Sequence, residues 1–193
     1  MHLELRRTVL IVALLNLAYF GIELGVALSI GSVSLFADSI DFLEDASVNI
    51  LIFIAVLWPA PARARLGMVL AGILLIPALA LLWSLWSKFA HPLPPEPLQL
   101  TVTGVGAMLV NGTCAYLLAR FRTHGGSLTR AAFLSARNDV LANIAIVLTG
   151  LVTAFMPSVW PDVIVGLGIA AMNLDAAREV WEAARDEHAE SQT

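Results

Sequence analysis

Apolar residues in this chain come in runs of about 20. That length crosses a hydrocarbon core about 30 Å thick at a helical rise of 1.5 Å per residue. Six runs are legible, near Val9–Ser29, Ser34–Leu57, Leu66–Phe89, Leu98–Ala119, Ala131–Phe155 and Val159–Val180. The breaks carry turn chemistry: Ile30-Gly31, Pro59-Ala60-Pro61, the proline-rich stretch His91–Pro97, His124-Gly125-Gly126, and Pro157 with Pro161. Pro77, inside the third run, predicts a kink rather than an end. The pattern predicts an all-α integral membrane bundle of six transmembrane helices over residues 1–182, followed by a short charged tail at 183–193.

Composition supports this. The chain has 193 residues, 59% hydrophobic and 13% charged, with a mean hydropathy of +0.82. A soluble domain is about a quarter charged. No basic stripe points to nucleic acid, and the single cysteine, Cys114, forms no internal disulfide. Arg6 and Arg7 before an apolar run imitate a secretory leader. The run is too long for one and passes through Ser29-Ile30-Gly31-Ser32 into a second apolar segment, so it is expected to stay as a helix.

The basic residues give an orientation. Arg6 and Arg7, Arg63 and Arg65, Arg120, Arg122 and Arg130, and Arg178 and Arg185 all fall at one set of ends, and the other set has Lys88. Positive residues stay inside, so a multi-pass protein of the cell membrane with both termini cytoplasmic is expected. Tryptophans 58, 83, 86, 160 and 181 fall near segment ends, as interfacial anchors do.

Polar residues inside the runs carry the chemistry. Glu23, Asp38, Asp41, Glu44, Asp45 and Asp139 stand within the spans, with Arg137 as the base among them. A carboxylate at mid-bilayer costs about 2.5–3.5 kcal/mol on insertion scales, so such residues line an interior cavity and serve a function. At about 100° per residue, Asp38, Asp41 and Asp45 share one face of the second helix, with Ser34 and Asn49 extending it and Glu44 at its edge. Ser135, Asp139 and Asn143 share a face of the fifth helix, and Asn16 and Glu23 a face of the first.

Depth agrees. Counted from Ser34, Asp41 and Asp45 lie about 10–17 Å into the membrane, and Asp139 about 12 Å from the opposite side. In a core about 30 Å thick these levels nearly coincide. Two carboxylates at i and i+4 plus a third from another helix supply hard oxygen ligands for a divalent cation. Carboxylates release protons when they bind metal, which is the physical basis for metal/proton exchange.

The stretch Asn16–Ala46, NLAYFGIELGVALSIGSVSLFADSIDFLEDA, resembles helices 1 and 2 of the cation diffusion facilitator family. Asn16, Phe20, Glu23, Gly31, Ser32, Leu35, Asp38, Asp41 and Asp45 fill that family's pattern in order. Ser127–Leu148 resembles its helix 5, whose His/Asp-x-x-x-Asp pair falls on Ser135 and Asp139. The resemblance implies a cation-efflux-like six-helix fold, efflux of zinc-like divalent ions by proton exchange, and a homodimer. It makes Asp41, Asp45 and Asp139 metal ligands, with Ser135 as a weak fourth in place of the family's His or Asp. Zinc prefers nitrogen or sulfur donors, so an all-oxygen set favours a harder ion such as manganese, iron(II) or magnesium. The resemblance also implies a short form without the family's cytoplasmic domain, so that a dimer would rest on membrane contacts.

Asp38, Glu44, Asn138, Asn143, Glu23 and Asn16 are read as supporting residues or a proton path, and Arg137 as the partner of an acid. Gly21-x-x-x-Gly25 is a spacing that permits close helix packing. His2, His91, His124 and His188 all fall outside the spans. No cofactor is expected; the metal ion is substrate. Two rivals to transport remain: a degenerate, non-transporting accessory membrane protein of the same fold, and an intramembrane aspartyl protease. The protease reading lacks the Gly-x-Gly-Asp pattern of such enzymes and leaves a third acid surplus, so an enzyme is not expected.

Overall fold

The computed structural model describes residues 2–55, 79–121 and 127–172. These form six helical segments: α1 (His2–Ile30), α2 (Val33–Ala55), α3 (residues 79–90), α4 (Pro97–Ala119), α5 (Ser127–Phe155) and α6 (Trp160–Met172). Trp58, Pro59, Pro61, Arg63, Arg65, Pro77, Arg122, His124, Arg178, Trp181, Arg185, His188 and the charged tail lie outside the described residues. The chain is a helical membrane protein. Leu3–Ile30, Pro97–Ala119 and Ala132–Phe155 are each long and apolar enough to cross a bilayer. α2 has the length but carries four acids.

α1 begins at His2 rather than near Val9, and α5 at Ser127 rather than near Ala131. Helical hydrogen bonding depends on backbone and propensity, so a helix continues past the apolar run through good formers such as Leu5, Arg6 and Arg7. α4 opens on a strong local stop. Glu96 accepts from the backbone N–H groups of Leu98 (3.2 Å) and Gln99 (2.6 Å), and Pro97 occupies the first turn, where its missing N–H costs nothing.

The α1–α2 turn is equally well specified. Gly31 has φ +61°, the left-handed conformation that closes a helix, and the Ser32 N–H returns to the Ala27 carbonyl at 3.0 Å. Ser32 then caps α2, its Oγ accepting from the Leu35 N–H at 3.2 Å.

α1 packs along α2 and α4 along α5; α1 also meets α4, and α2 meets α5, so these four helices form a ring. Gly104 lets α4 approach α5, since a Cβ there would stand 2.9 Å from Ile146 Cγ2. Two dry layers fill the ring. One, at the end where α2 begins, holds Phe36, Ile40, Ala142 and Ile146, joined by Leu81 of α3 and Val163 of α6. The other, toward the far end of α2, holds Val12, Ile52, Leu118, Ala132 and Ala136. Outside the ring Leu14, Leu17, Ile22, Leu109 and Leu148 are exposed, an apolar coat suited to lipid. Trp83, Trp86 and Trp160 are exposed near helix ends.

Candidate functional site

Asp41, Asp45 and Asp139 lie between the two apolar layers. Asp41 and Asp45 are buried on α2, and Asp139 is half-buried on α5. The layers pair the start of α2 with the second half of α5 and the end of α2 with the start of α5, so the two helices run antiparallel. This brings Asp45 level with Ser135 and Asp139. Ser135 Oγ donates to Asp45 Oδ1 at 2.9 Å, and the Asp139 carboxyl stands against that of Asp45 within hydrogen-bonding contact. Asp41 lies one turn away along α2 and adds its charge to the same locus, as does half-buried Glu44. Among the described residues no three His, Cys, Asp or Glu side chains already converge on a single ligating point. Asp45 and Asp139 are one carboxyl pair that meets across α2 and α5.

Both α2 and α5 repeat one device. The Asn49 side-chain amide donates to the Asp45 carbonyl at 2.9 Å, and the Asn143 amide to the Asp139 carbonyl at 2.6 Å. Each asparagine is buried, sits one turn beyond an acid and holds the local backbone. In each, Oδ1 has no donor among the described residues. Asn138 is half-buried beside Asp139 and accepts from Arg137 Nη2 at 3.3 Å. Arg137 is exposed. Among the described residues it bonds to an amide rather than to an acid, because two residues of helix turn it about 200° from Asp139.

Toward the start of α2 the character changes. Glu23 of α1 and Asp38 of α2 are both fully buried and meet carboxyl to carboxyl. Among the described residues none of their four oxygens receives an N–H or O–H from another group. Tyr19, whose hydroxyl is near enough to feel both charges, donates instead to the Thr103 carbonyl at 2.6 Å. Asn16 turns to α4, where its Oδ1 accepts from Cys114 Sγ at 3.6 Å.

Sequence reasoning missed Asp162, the second residue after Trp160 at the head of α6. It is fully buried and accepts from Ser32 Oγ (2.7 Å), Val33 N (2.8 Å), Ser34 N (3.1 Å) and Ser34 Oγ (2.7 Å). Lys88 Nζ stands 3.9 Å from it and donates to the Gly31 carbonyl at 2.6 Å. The signal was available: an acid inside the sixth apolar run and a lysine at the end of the third are costly there unless paired.

Comparison with protein families places this arrangement. Residues 9–186 match the model of the cation efflux transmembrane domain, a span that includes every residue of the acid cluster. The chain belongs to the cation efflux family. No curated protein matches the chain. Cation efflux proteins are membrane transporters, so the acids on α1, α2 and α5 belong to a cation transporter of the cation diffusion facilitator type, and the ions it moves are substrates.

Proposed function

We propose that this cation efflux protein exports a divalent metal ion of the zinc, manganese or iron kind from the cytoplasm in exchange for protons. It would do so across the cell membrane with both termini on the cytoplasmic side. The observation that carries the reading is the meeting of α2 and α5 at Asp45, where Ser135 and Asp139 both touch one carboxyl. Two carboxyls in contact repel unless a proton or a cation lies between them. A divalent ion entering between Asp45 and Asp139, with Asp41 closing from the next turn, would displace that proton. Ser135 would contribute a neutral oxygen. The set is then all oxygen, which suits manganese or iron(II) better than zinc.

Glu23 and Asp38 are suited to the counter-movement. With no other donor on their oxygens among the described residues, they are stable together when a proton lies between them. They sit on the side of the metal-binding carboxyls nearest the start of α2, which is the outer side in the orientation proposed. Glu44, Asn138, Asn143 and Asn16 support the helices that present these groups.

Vesicles containing the purified chain test this. A gradient of manganese, zinc or iron(II) should drive metal flux with opposing proton movement, and Asp45→Ala or Asp139→Ala should abolish both. The bond from Ser135 to Asp45 also favours a second reading, in which the hydroxyl satisfies Asp45 in place of metal and the chain is a non-transporting accessory protein. Absence of flux for every divalent ion, with retained binding to a partner transporter, would establish that reading instead.

A homodimer through membrane helices belongs to the proposal. Gly21 and Gly25 are exposed, and a Cβ at either would meet nothing within 4 Å. Their close-packing face is therefore unfilled among the described residues, and a second copy would fill it.

A further inference from the structure

The cluster around Asp162 lies outside the metal-binding carboxyls and has a geometry of its own. Helix N-termini leave backbone N–H groups without intrahelical partners. At the head of α2 the first two, on Val33 and Ser34, are taken by the Asp162 carboxylate, and the third, on Leu35, by Ser32 Oγ. Helix caps are normally supplied from the residues just before the helix. Here the principal cap comes from α6, 129 positions away in the chain from Val33. The serine hydroxyls on either side of Val33 also donate to it, so four hydrogen bonds converge on one buried carboxylate. Lys88 of α3 closes the group by pairing with Asp162 and holding the Gly31 carbonyl.

Backbone packing makes the contact tight. Gly166 lies one turn beyond Asp162, on the same face of α6. A Cβ there would stand 2.7 Å from Val33 Cγ1 and 2.9 Å from the Ser34 nitrogen. α6 therefore lies directly on the first turn of α2. Below this contact, toward the acids, Leu81, Val163, Phe36 and Ile40 form the dry layer.

We infer that Asp162 is a positioning residue that locks α2 to α3 and α6 at the outer end of the bundle, and that this lock must open for ions to pass between the acid cluster and the outer face. The inference rests on the transport reading and the orientation given above. α2 bears both Asp41 and Asp45, so a lock on its first turn fixes their height as well as closing the path above them. A carrier that opens to one face at a time needs a closure that is strong yet reversible. Charge-assisted hydrogen bonds to one carboxylate meet this need, since they are lost together when α6 swings away and are replaced by water.

Side-specific labelling tests the lock. The full chain is reconstituted with Cys114→Ser and a reporter, Ala37→Cys, placed at a fully buried position one turn below Ser34. A membrane-impermeant thiol reagent is applied to either face. Asp162→Asn should raise labelling from the outer face about tenfold, in line with the loss of charge-assisted bonds, with labelling from the inner face unchanged. Lys88→Gln should act in the same direction and more weakly. Unchanged outer labelling in both variants overturns the inference. So does an equal rise from both faces, which would mean a loosened bundle rather than a gate. If Asp162→Asn does not fold, Lys88→Gln and Ser34→Ala decide by the same criterion. A separate Leu93→Cys reporter, exposed in the α3–α4 connection, marks the face at which α2 begins. An inverted orientation is thereby told apart from an absent lock, and flux in the unlabelled parent separately reports the transport reading.

Discussion

Ser135 Oγ on α5 donates to Asp45 Oδ1 on α2 at 2.9 Å, joining a hydroxyl and a carboxyl that are 90 residues apart in the chain. The bond places residue 135 within reach of anything held by Asp45. Replacing Ser135 by His should therefore offer an imidazole nitrogen to the same ion and raise the preference for zinc over manganese by about tenfold or more. Competition titration on purified protein measures it. Equal zinc binding by the two proteins would remove residue 135 from the site.

Asp45→Asn and Asp139→Asn each remove a charged oxygen donor while keeping side-chain shape. Metal flux in vesicles should fall at least about a hundredfold in each, an effect of the size expected when a ligand is lost. The double variant should be hardly worse than either single one, because both act on one bound ion. Independent, multiplicative losses would argue that the two carboxyls serve different ions.

Metal binding should strengthen as pH rises. If an ion displaces the proton between Asp45 and Asp139, the proton-bound form competes with metal, and apparent affinity falls as pH falls. The sign follows from linkage: metal binds the form with fewer protons. Each displaced proton contributes about a tenfold change in affinity per pH unit over the range in which it is bound in the free protein. Titrations with manganese at several pH values give the slope, and a flat profile would rule out proton displacement.

Gly31→Ala should destabilise the protein by roughly 1 kcal/mol, because φ +61° costs an L-residue about that much. Since the turn also carries the carbonyl held by Lys88, the loss should appear both in thermal unfolding in detergent and in faster labelling near the head of α2. An unchanged midpoint would mean that the turn relaxes without cost.

Gly21→Leu and Gly25→Leu should disrupt a dimer without unfolding the chain, since both positions are open among the described residues. Sedimentation in detergent, or cross-linking in membranes, should show a shift toward monomer. A dimer that persists in both variants would place the interface on another face.

Most of the fold was legible because membrane helices obey one dominant constraint: each must satisfy its own backbone and cover itself with apolar side chains. Two periodic stripes and a depth argument grouped Asp41, Asp45 and Asp139, and the resemblance added Ser135, which donates to Asp45. The stripes did not reveal how the acids divide. Glu23 and Asp38 meet each other, and Asp45 meets Asp139, which depends on how far α1 and α5 rotate about their axes. That rotation is set by packing such as Gly104 against Ile146, which no single helix records. Asp162 escaped for another reason. Its partners are the backbone N–H groups of Val33 and Ser34, and a sequence does not show which helix ends are left for another segment to cap.

The two apolar layers above and below the carboxyls have an electrical consequence. In the transport reading, closing both layers at once would leave no file of water through the ring, so the membrane would stay insulating and small ions would not stream down their gradients. Passage is then by discrete turnover, saturating with concentration, and patch recordings should show no unitary conductance.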